Sequence, residues 1–455
     1  MYEGTTRQFI AASCACLAVF TTGMSIGWPA PVLPKLLSKD SPIPMTSSEG
    51  SWMVAIIEVG NYLSPIPGAF AVDNIGRKWT LLATGPITAL SYIIAIYSTS
   101  VWGLYTMRVL QGMAMSVIYM TIPIYFGEIS ENKIRGTIGT LTQISCNLGI
   151  LYTYVLGAQL SYTSYLISSL AVPILFMVTF VFIPESPYYY VSKNQEDKAI
   201  ASIKWLRKRK DSQGLFNFVE DELNEIKNNI KPRESRDQMH LQQFFGRPNR
   251  NALFRSLTLI LFKLLIGVQT LIAYATTVFA SSTSFLPSEY ISILFAVILL
   301  VSIFPTTYFV DRSGRRPLFL ISAFGCALFS LVAGIYYYVS IELGIQIPYS
   351  SWVPFASVSL LGVFFNVGWG SLLTPLFSEY FAPGVKAADM TVCNLTGSTL
   401  SLFSYKLFYL MNEHVGVYSN FMFGGLVSAV STVYIYVYLF ETKGKTLSEI
   451  QDMFK

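Results

Sequence analysis

The sequence predicts an all-α membrane protein with twelve transmembrane helices in two six-helix halves, joined by a cytoplasmic helical linker. Three observations support this fold class: the composition, the number of long apolar runs and a set of short charged motifs that occurs twice. Of the 455 residues, 53% are hydrophobic and only 13% are charged, whereas soluble domains carry about 25% charged residues. This balance favours a chain whose solvent is lipid.

Twelve runs are long and apolar enough to cross a bilayer, which takes about 20 mostly apolar residues. We number them spans 1 to 12, and they cover 9–30, 52–72, 79–98, 101–126, 137–159, 164–183, 254–281, 288–310, 318–340, 351–378, 389–411 and 417–440. Span 1 exceeds the apolar core of a signal peptide, so a retained helix is expected.

The distribution of basic residues predicts the orientation. Outside the spans, Lys35 and Lys39 lie on one side, and all other lysines and arginines lie on the opposite side. The positive-inside rule makes that opposite side cytoplasmic. Both termini and the central loop are therefore expected on the cytoplasmic side of a multi-pass protein, and the expected location is the plasma membrane. The net charge of +5 reflects this topology, and no nucleic-acid partner is predicted.

The longest polar stretch divides the chain into four predicted domains. They are an N-terminal six-helix bundle at 1–183, a cytoplasmic linker at 184–253, a C-terminal six-helix bundle at 254–440 and a cytoplasmic tail at 441–455. Within the linker, "QEDKAIASIKWLRKRK" and "FNFVEDELNEIKNNI" are typical of short amphipathic helices. The first is basic, and it is expected either to lie on anionic lipid or to be solvated.

Three cytoplasmic motifs of the first half recur in the same order in the second half. "DNIGRKWTLL" between spans 2 and 3 matches "DRSGRRPLFL" between spans 8 and 9. "EISENKIRG" after span 4 matches "EYFAPGVKA" after span 10, and "PESP" after span 6 matches "FETKGKT" after span 12. Such a repeat indicates a duplicated six-helix unit, which is one way in which secondary transporters are built.

The acids and bases of these motifs predict a gating charge network at the cytoplasmic face. Pairs of opposite charge there can hold the inside closed and separate when it opens. Plain topology anchoring is the alternative, and it explains the basic residues but not the repeated acids. The predicted network contains Asp73, Arg77, Glu128, Arg135, Glu185, Asp311, Arg315 and Glu379.

No catalytic, metal or cofactor site is predicted. The five cysteines all lie in apolar spans, where small buried packing residues are expected. His240 and His414 are isolated in loops, so no metal cluster is visible. No nucleophile–base constellation occurs either, so an enzyme is not expected.

The motifs resemble those of the sugar porter family of the major facilitator superfamily along nearly the whole chain. The matching residues are Asp73, Gly76-Arg77-Lys78, Arg108, Gly112, Pro123, Glu128, Arg135-Gly136, Gln143, Gly149, Pro184-Glu185-Ser186-Pro187, Asp311, Gly314-Arg315-Arg316, Glu441-Thr442 and Gly444-Lys445-Thr446-Leu447. "GMSIGWPAPVLPKL" in span 1 and "SEGSW" before span 2 are most similar to the insect facilitated trehalose transporters of that family.

The resemblance implies the major facilitator fold and sugar transport by alternating access. It also implies a substrate site near the middle of the membrane. Gln143 in span 5 and Asn394 in span 11 match sugar-binding positions of the family, and Asn366 takes its polar position in span 10. Span 7 departs from the pattern, because Lys263 and Leu264 replace a Gln-Gln pair and Gln269 replaces an Asn.

Lys263 is a charge inside a span, which usually marks a pathway or a paired site. On a straight helix, Lys263 lies on the same face as Gly267, Thr270, Tyr274 and Thr277. Gln269 lies on a different face of that helix. An interruption near Gly267 would change that geometry. We expect Lys263 to face the central cavity, and snorkelling to the cytoplasmic side is the alternative.

The leading functional prediction is a facilitative (uniport) carrier of trehalose or a hexose. A proton-coupled symporter is one alternative, although Ser25 occupies the span 1 position where the coupled relatives carry an acid. Glu58 in span 2 is the other deep acid. A sugar sensor that does not transport is a further alternative, because Lys386-Ala387 replaces the Arg-Gly usual in the second half. The oligomeric state is not predicted.

Overall fold

The computed structural model of the chain is helical throughout the residues that it describes. These are residues 3–131, 133–207, 212–229, 246–281, 286–345, 351–381, 385–443, 445, 449–450 and 453–454. All twelve predicted spans are helical, which confirms the all-α prediction. Within this described part, nine segments are long and apolar enough to cross a membrane.

The three remaining spans differ from the nine in length or polarity. Span 2 is divided into three short helices, and spans 5 and 11 are long helices with more polar residues. The helices of the first half are Glu3–Gly27 and Pro29–Leu36 (span 1), Ser47–Ala55, Ile57–Leu63 and Pro65–Asn74 (span 2), Arg77–Tyr97 (span 3), Val101–Ile129 (span 4), Arg135–Gln159 (span 5) and Tyr162–Phe180 (span 6).

The second half contains more interruptions within its spans. Its helices are Arg247–Leu265 and Val268–Ala280 (span 7), Ser288–Ser313 (span 8), Arg315–Tyr337 followed by the π-helix Tyr338–Glu342 (span 9), Val353–Phe365, the π-helix Asn366–Gly370 and Leu373–Tyr380 (span 10), Lys386–His414 (span 11) and Val417–Tyr438 (span 12). Turns of π-helix inside α-helices are frequent at functional sites.

The linker forms helices Pro187–Ser192, Glu196–Leu206 and Ser212–Asn229, so both predicted amphipathic helices are present. Neither alternative for the first helix anticipated its packing. Its apolar face forms a small buried cluster with the second helix, through Ala199, Ile203 and Leu223 among others. Arg207 at the end of the first helix is held at 2.8 Å from Glu222. Residues 208–211 and 230–245 of the linker lie outside the described residues.

The chain divides into two compact units. Unit 1 comprises Met1–Ser25, Val59–Ile150 and Ser161–Ser235, and unit 2 comprises Ile26–Glu58, Leu151–Leu160 and Arg236–Lys455. Unit 2 therefore contains parts of spans 1, 2 and 5 together with the whole of the second half. The four-domain division given by the sequence stays a prediction.

Close helix packing in unit 1 depends on glycine at two places. A Cβ on Gly23 of span 1 would collide with the carbonyl oxygen of Cys146 in span 5, and one on Gly149 would collide with that of Phe20. Real Cβ atoms do not come that near to a backbone oxygen. The two glycines thus let the backbones of spans 1 and 5 touch, as small residues commonly do between helices in membranes.

Candidate functional site

The motif between spans 2 and 3 forms a tight turn that is capped by an acid from the end of span 6. Gly76 has φ +106°, a conformation open to glycine but rarely adopted by other residues. Glu185 accepts hydrogen bonds from the backbone N–H groups of Arg77 at 3.1 Å and of Lys78 at 3.0 Å. These N–H groups lie in the first turn of a helix and have no intrahelical acceptor, so the carboxylate caps the N-terminus of that helix.

The Arg77 side chain joins this turn to the end of span 4. Its Nε and Nη2 atoms each donate to the Glu128 carboxylate at 2.9 Å, which is the two-pronged geometry that Arg forms with carboxylates. Both side chains are 15% exposed. Arg77 also lies over the ring of Tyr189, 5.8 Å from its centroid. The pair is therefore largely removed from water within unit 1.

The second copy of the motif, in unit 2, repeats this arrangement. Gly314 has φ +84°, and Glu441 accepts from the backbone N–H groups of Arg315 at 2.9 Å and Arg316 at 3.0 Å. The Arg315 side chain lies 3.2 Å from Glu379, and the Thr442 hydroxyl donates to Glu379 at 2.5 Å. Glu441 thus occupies the place of Glu185, so the duplication extends to individual hydrogen bonds.

Glu441 is absent from the predicted network, although a signal for it existed. The match of "FETKGKT" to "PESP" places Glu441 opposite Glu185. The two acids differ in their electrostatics. Burial raises the pKa of the Glu185 carboxyl, which hydrogen bonds from Lys78 and Ser186 oppose only in part. Burial also acts to raise the pKa of Glu441, but backbone N–H groups, led by that of Arg315, outweigh burial and the pKa is lowered.

The other residues of the predicted network are Arg135, Asp73 and Asp311. Arg135 is exposed, and its guanidinium donates to the Gly127 carbonyl at 3.1 Å. Asp73 is exposed at the end of its helix. Asp311 belongs to the helix of span 8, but its side chain lies outside the described part of the structure, as do those of Lys386 and Ala387. Gly444, Thr446 and Leu447 of the last motif also lie outside the described residues.

The predicted substrate residues are distributed over both units. Gln143 is exposed in unit 1, and Asn394 is exposed in unit 2. Lys263, Gln269 and Asn366 are partly buried in unit 2. In the described structure, no hydrogen bond or ion pair joins any two of the five. The Asn366 amide instead donates to the Ser302 hydroxyl at 2.9 Å, which ties the π-helix of span 10 to span 8.

The straight-helix geometry expected for span 7 is wrong. Gly267 adopts the left-handed conformation with φ +83°, and a new helix begins at Val268. The Ser404 hydroxyl of span 11 bridges the break, because it donates to the Leu264 carbonyl at 3.0 Å and lies 3.2 Å from the Thr270 hydroxyl. Lys263 and Thr270 therefore belong to different helices and do not form one continuous stripe. The interruption near Gly267, which the sequence left open, is therefore present.

Two polar contacts in unit 2 join span 2 to span 11. The Ser401 hydroxyl donates to the Glu58 carboxylate at 2.8 Å, and Glu58 is 4% exposed. The Lys406 ammonium donates to the Ser51 hydroxyl at 2.6 Å and lies 4.4 Å from the ring centroid of Trp52. Glu58 of span 2 and Lys406 of span 11 are thus both used at one helix interface.

A third contact of unit 2 joins span 5 to span 7, where the buried Tyr154 hydroxyl donates to the Ile272 carbonyl at 2.5 Å. We call the three contacts, Glu58–Ser401, Lys406–Ser51 and Tyr154–Ile272, the outer seam. By the predicted topology all three lie in the outer half of the membrane. Each joins a span of the first half of the sequence to a span of the second half.

Arg108 of span 4 donates to two neutral acceptors of unit 1. Its guanidinium donates to the Ser25 carbonyl at 2.6 Å and to the Gln111 side chain at 2.8 Å. The Ser25 hydroxyl is directed elsewhere, since it donates to the Thr21 carbonyl at 2.9 Å. At the Ser25 position of span 1, Arg108 therefore contacts a backbone carbonyl and not a carboxylate.

Comparison with known proteins gives matches along the whole chain. The family model described as "Sugar (and other) transporter" matches residues 8–454. The facilitated trehalose transporter Tret1 of Anopheles gambiae is 27% identical over 459 residues, which cover 99% of this chain and 57% of that protein. The Culex quinquefasciatus protein of the same name is 26% identical over 449 residues, covering 98% and 86%. The chain thus spans little more than half of the Anopheles relative and most of the Culex relative.

Among solved structures, the inward open conformation of the xylose transporter XylE from E. coli matches with a TM-score of 0.81. The identity is 18%, and the match covers 98% of this chain and 100% of that one. The proton:xylose symporter XylE bound to 6-bromo-6-deoxy-D-glucose matches with a TM-score of 0.76 at 18% identity, covering 100% of both chains. At such identities the likeness shows the fold, and it confirms the predicted major facilitator fold.

Proposed function

The chain belongs to the sugar (and other) transporter family, and on that premise we propose that it is a facilitative carrier of trehalose or a hexose. The carrier works by alternating access, so the substrate site opens to one side of the membrane at a time. The trehalose assignment is supported by the similarity to the facilitated trehalose transporters Tret1. The hexose assignment is supported by membership of the sugar (and other) transporter family.

One observation carries the proposal: both copies of the cytoplasmic motif form the same capped turn and Arg–Glu pair. A charge pair that is largely shielded from water resists separation, because either partner left alone is costly. In this proposal the Arg77–Glu128 and Arg315–Glu379 pairs order the cytoplasmic ends of the two halves. The two Arg–Glu pairs rearrange when the substrate site opens to the cytoplasm. The contacts of the outer seam rearrange when the site opens to the outside.

The placement in the cell is also part of the proposal. The family and the apolar helices establish a membrane protein. The positive-inside pattern supports cytoplasmic termini and a cytoplasmic linker. The plasma membrane is proposed because the proposed carrier takes up an external sugar.

A panel of labelled sugars tests the proposed substrate class. The full chain is reconstituted into liposomes, and initial rates are measured for trehalose, glucose, a polyol and a sugar phosphate at equal concentration. Saturable uptake of trehalose or glucose above that of protein-free liposomes is the expected result. Absence of saturable uptake for every compound, by protein that is monodisperse in detergent, would contradict a carrier and favour a sensor.

Proton-coupled symport is a second candidate, and Glu58 is the observation that favours it. A carboxylate at 4% exposure within a span is the kind of group that proton-driven carriers use. The Arg108–Ser25 contact favours uniport, because span 1 offers that arginine a carbonyl in place of a titratable acid.

A further inference from the structure

Lys263 lies on the interior face of its helix and does not point towards lipid. In Arg247–Leu265 the buried positions include Ala252, Ser256 and Leu259. At 3.6 residues per turn, Lys263 lies about 20° from Ser256 and about 40° from Leu259 around the helix axis. Phe254 lies about 180° from Lys263 and is 68% exposed. The lipid-facing side of span 7 is therefore opposite to the lysine.

The contacts of the same face identify what it packs against. The Asn249 amide donates to Asp389 at 3.1 Å, the Leu264 carbonyl accepts from Ser404, and a Cβ on Gly397 would lie 3.8 Å from Ile260. Asp389, Gly397 and Ser404 all belong to span 11. Lys263 also follows the start of span 7 at residue 254 by nine residues, or about 14 Å. That distance exceeds the reach of its side chain, so snorkelling to the cytoplasmic end is disfavoured.

The Lys263 ammonium has no protein partner in the described structure. It makes no hydrogen bond or ion pair there, and its side chain remains partly exposed on a face that packs against protein. An ammonium offers three donors and no acceptor. The nearby end of the helix supplies only a weak, partial negative charge. A cation kept inside a span without a counter-charge is costly and usually serves a substrate or an ion.

We propose that Lys263 binds an acidic group of the transported substrate, so that, among hexoses, those that carry a carboxylate or a phosphate are preferred. This inference rests on the proposed carrier function. Charge-assisted hydrogen bonds from an ammonium to such oxygens are stronger than those to neutral hydroxyls. In the bound state, the positive charge of Lys263 neutralises the negative charge of the sugar. Over a complete transport cycle, the charge that crosses the membrane is the negative charge of the sugar. Transport of the acidic sugar is therefore electrogenic.

The test uses the full chain in liposomes with four labelled substrates: glucuronate, glucose 6-phosphate, glucose and trehalose. Wild-type protein is expected to take up at least one acidic sugar with a KM about tenfold or more below that for glucose. A membrane potential that is negative inside the liposomes is expected to slow entry of the acidic sugar and to leave glucose entry unchanged. Preference for glucuronate identifies a carboxylate, and preference for glucose 6-phosphate identifies a phosphate.

Variants separate a charge effect from misfolding. Lys263→Gln is expected to raise the KM for the acidic sugar about tenfold or more and to lower the selectivity for the acidic sugar over glucose. Lys263→Arg keeps the positive charge and is expected to retain the acidic preference. Lys39→Gln removes an exposed lysine of the predicted outer loop and is the matched control, expected to behave as wild type.

Two outcomes overturn different claims. Uptake of glucose or trehalose without measurable uptake of either acid, unchanged in Lys263→Gln, overturns the role of Lys263 and leaves the carrier intact. Failure to take up any of the four compounds, by wild-type protein that remains monodisperse, overturns the proposed carrier function itself.

Discussion

Replacing Arg77 by alanine is expected to reduce sugar uptake about tenfold or more. The substitution removes all three hydrogen bonds to Glu128 and leaves a carboxylate that is only 15% exposed. Loss of one partner from a fully buried pair costs about 3–5 kcal/mol. Residual exposure reduces this here to roughly 1–3 kcal/mol, or about one to two powers of ten in an equilibrium constant.

Uptake of Arg77→Ala is measured in liposomes and normalised to the amount of protein inserted. Lys133→Ala, which removes an exposed cation from the loop after span 4, is the control and should transport as wild type. Arg315→Ala repeats the experiment in the second copy of the motif. Wild-type rates in both arginine variants would show that the pairs anchor topology and do not take part in the transport cycle.

Replacing Lys406 by methionine is expected to lower the KM for entry of external sugar several-fold. The ammonium donates to Ser51 and lies against the ring of Trp52. Together such contacts contribute about 2 kcal/mol, or roughly 30-fold in an equilibrium constant. If the outer seam forms only when the outside is closed, its loss raises the fraction of carriers open to the outside. Apparent affinity for external ligand rises with that fraction.

The measurement is the concentration dependence of initial uptake, with Lys39→Met as the control for loss of an outer lysine. Tyr154→Phe removes a second contact of the outer seam and is expected to change the KM in the same direction. An unchanged or higher KM in both seam variants, with normal insertion, would contradict a gating role for this interface.

The sequence predicted the twelve spans and the charged turns because both arise from local chemistry. Apolar length and a glycine beside two basic residues can be recognised without knowledge of the packing. Gly267 could also be recognised in the sequence as a possible interruption of span 7, but the sequence does not show whether the helix breaks there. The break is stabilised by Ser404, which is 137 residues away and bonds to Leu264 and Thr270 across it. Only the packing of span 11 against span 7 supplies that partner.

The outer seam could not be predicted for the same reason. Glu58 and Ser401 are 343 residues apart, and neither lies in a repeated motif. Lys406 appeared in the sequence only as a cation within a span, although its partners Ser51 and Trp52 stand in the conspicuous "SEGSW" stretch. Arg135 shows the converse, because its motif position predicted a charge pair and its guanidinium instead donates to a backbone carbonyl.

The central claim, a carrier that equilibrates its sugar without coupling to protons, is tested most directly by the plateau of uptake in sealed liposomes. The account predicts that internal and external concentrations of the best substrate of the panel become equal. For a neutral substrate, neither an imposed proton gradient nor a protonophore should alter that plateau. For an acidic one, the membrane potential is clamped to zero. Accumulation above the external concentration under a proton gradient, abolished by the protonophore and by Glu58→Gln, would contradict facilitated transport and establish Glu58-dependent symport.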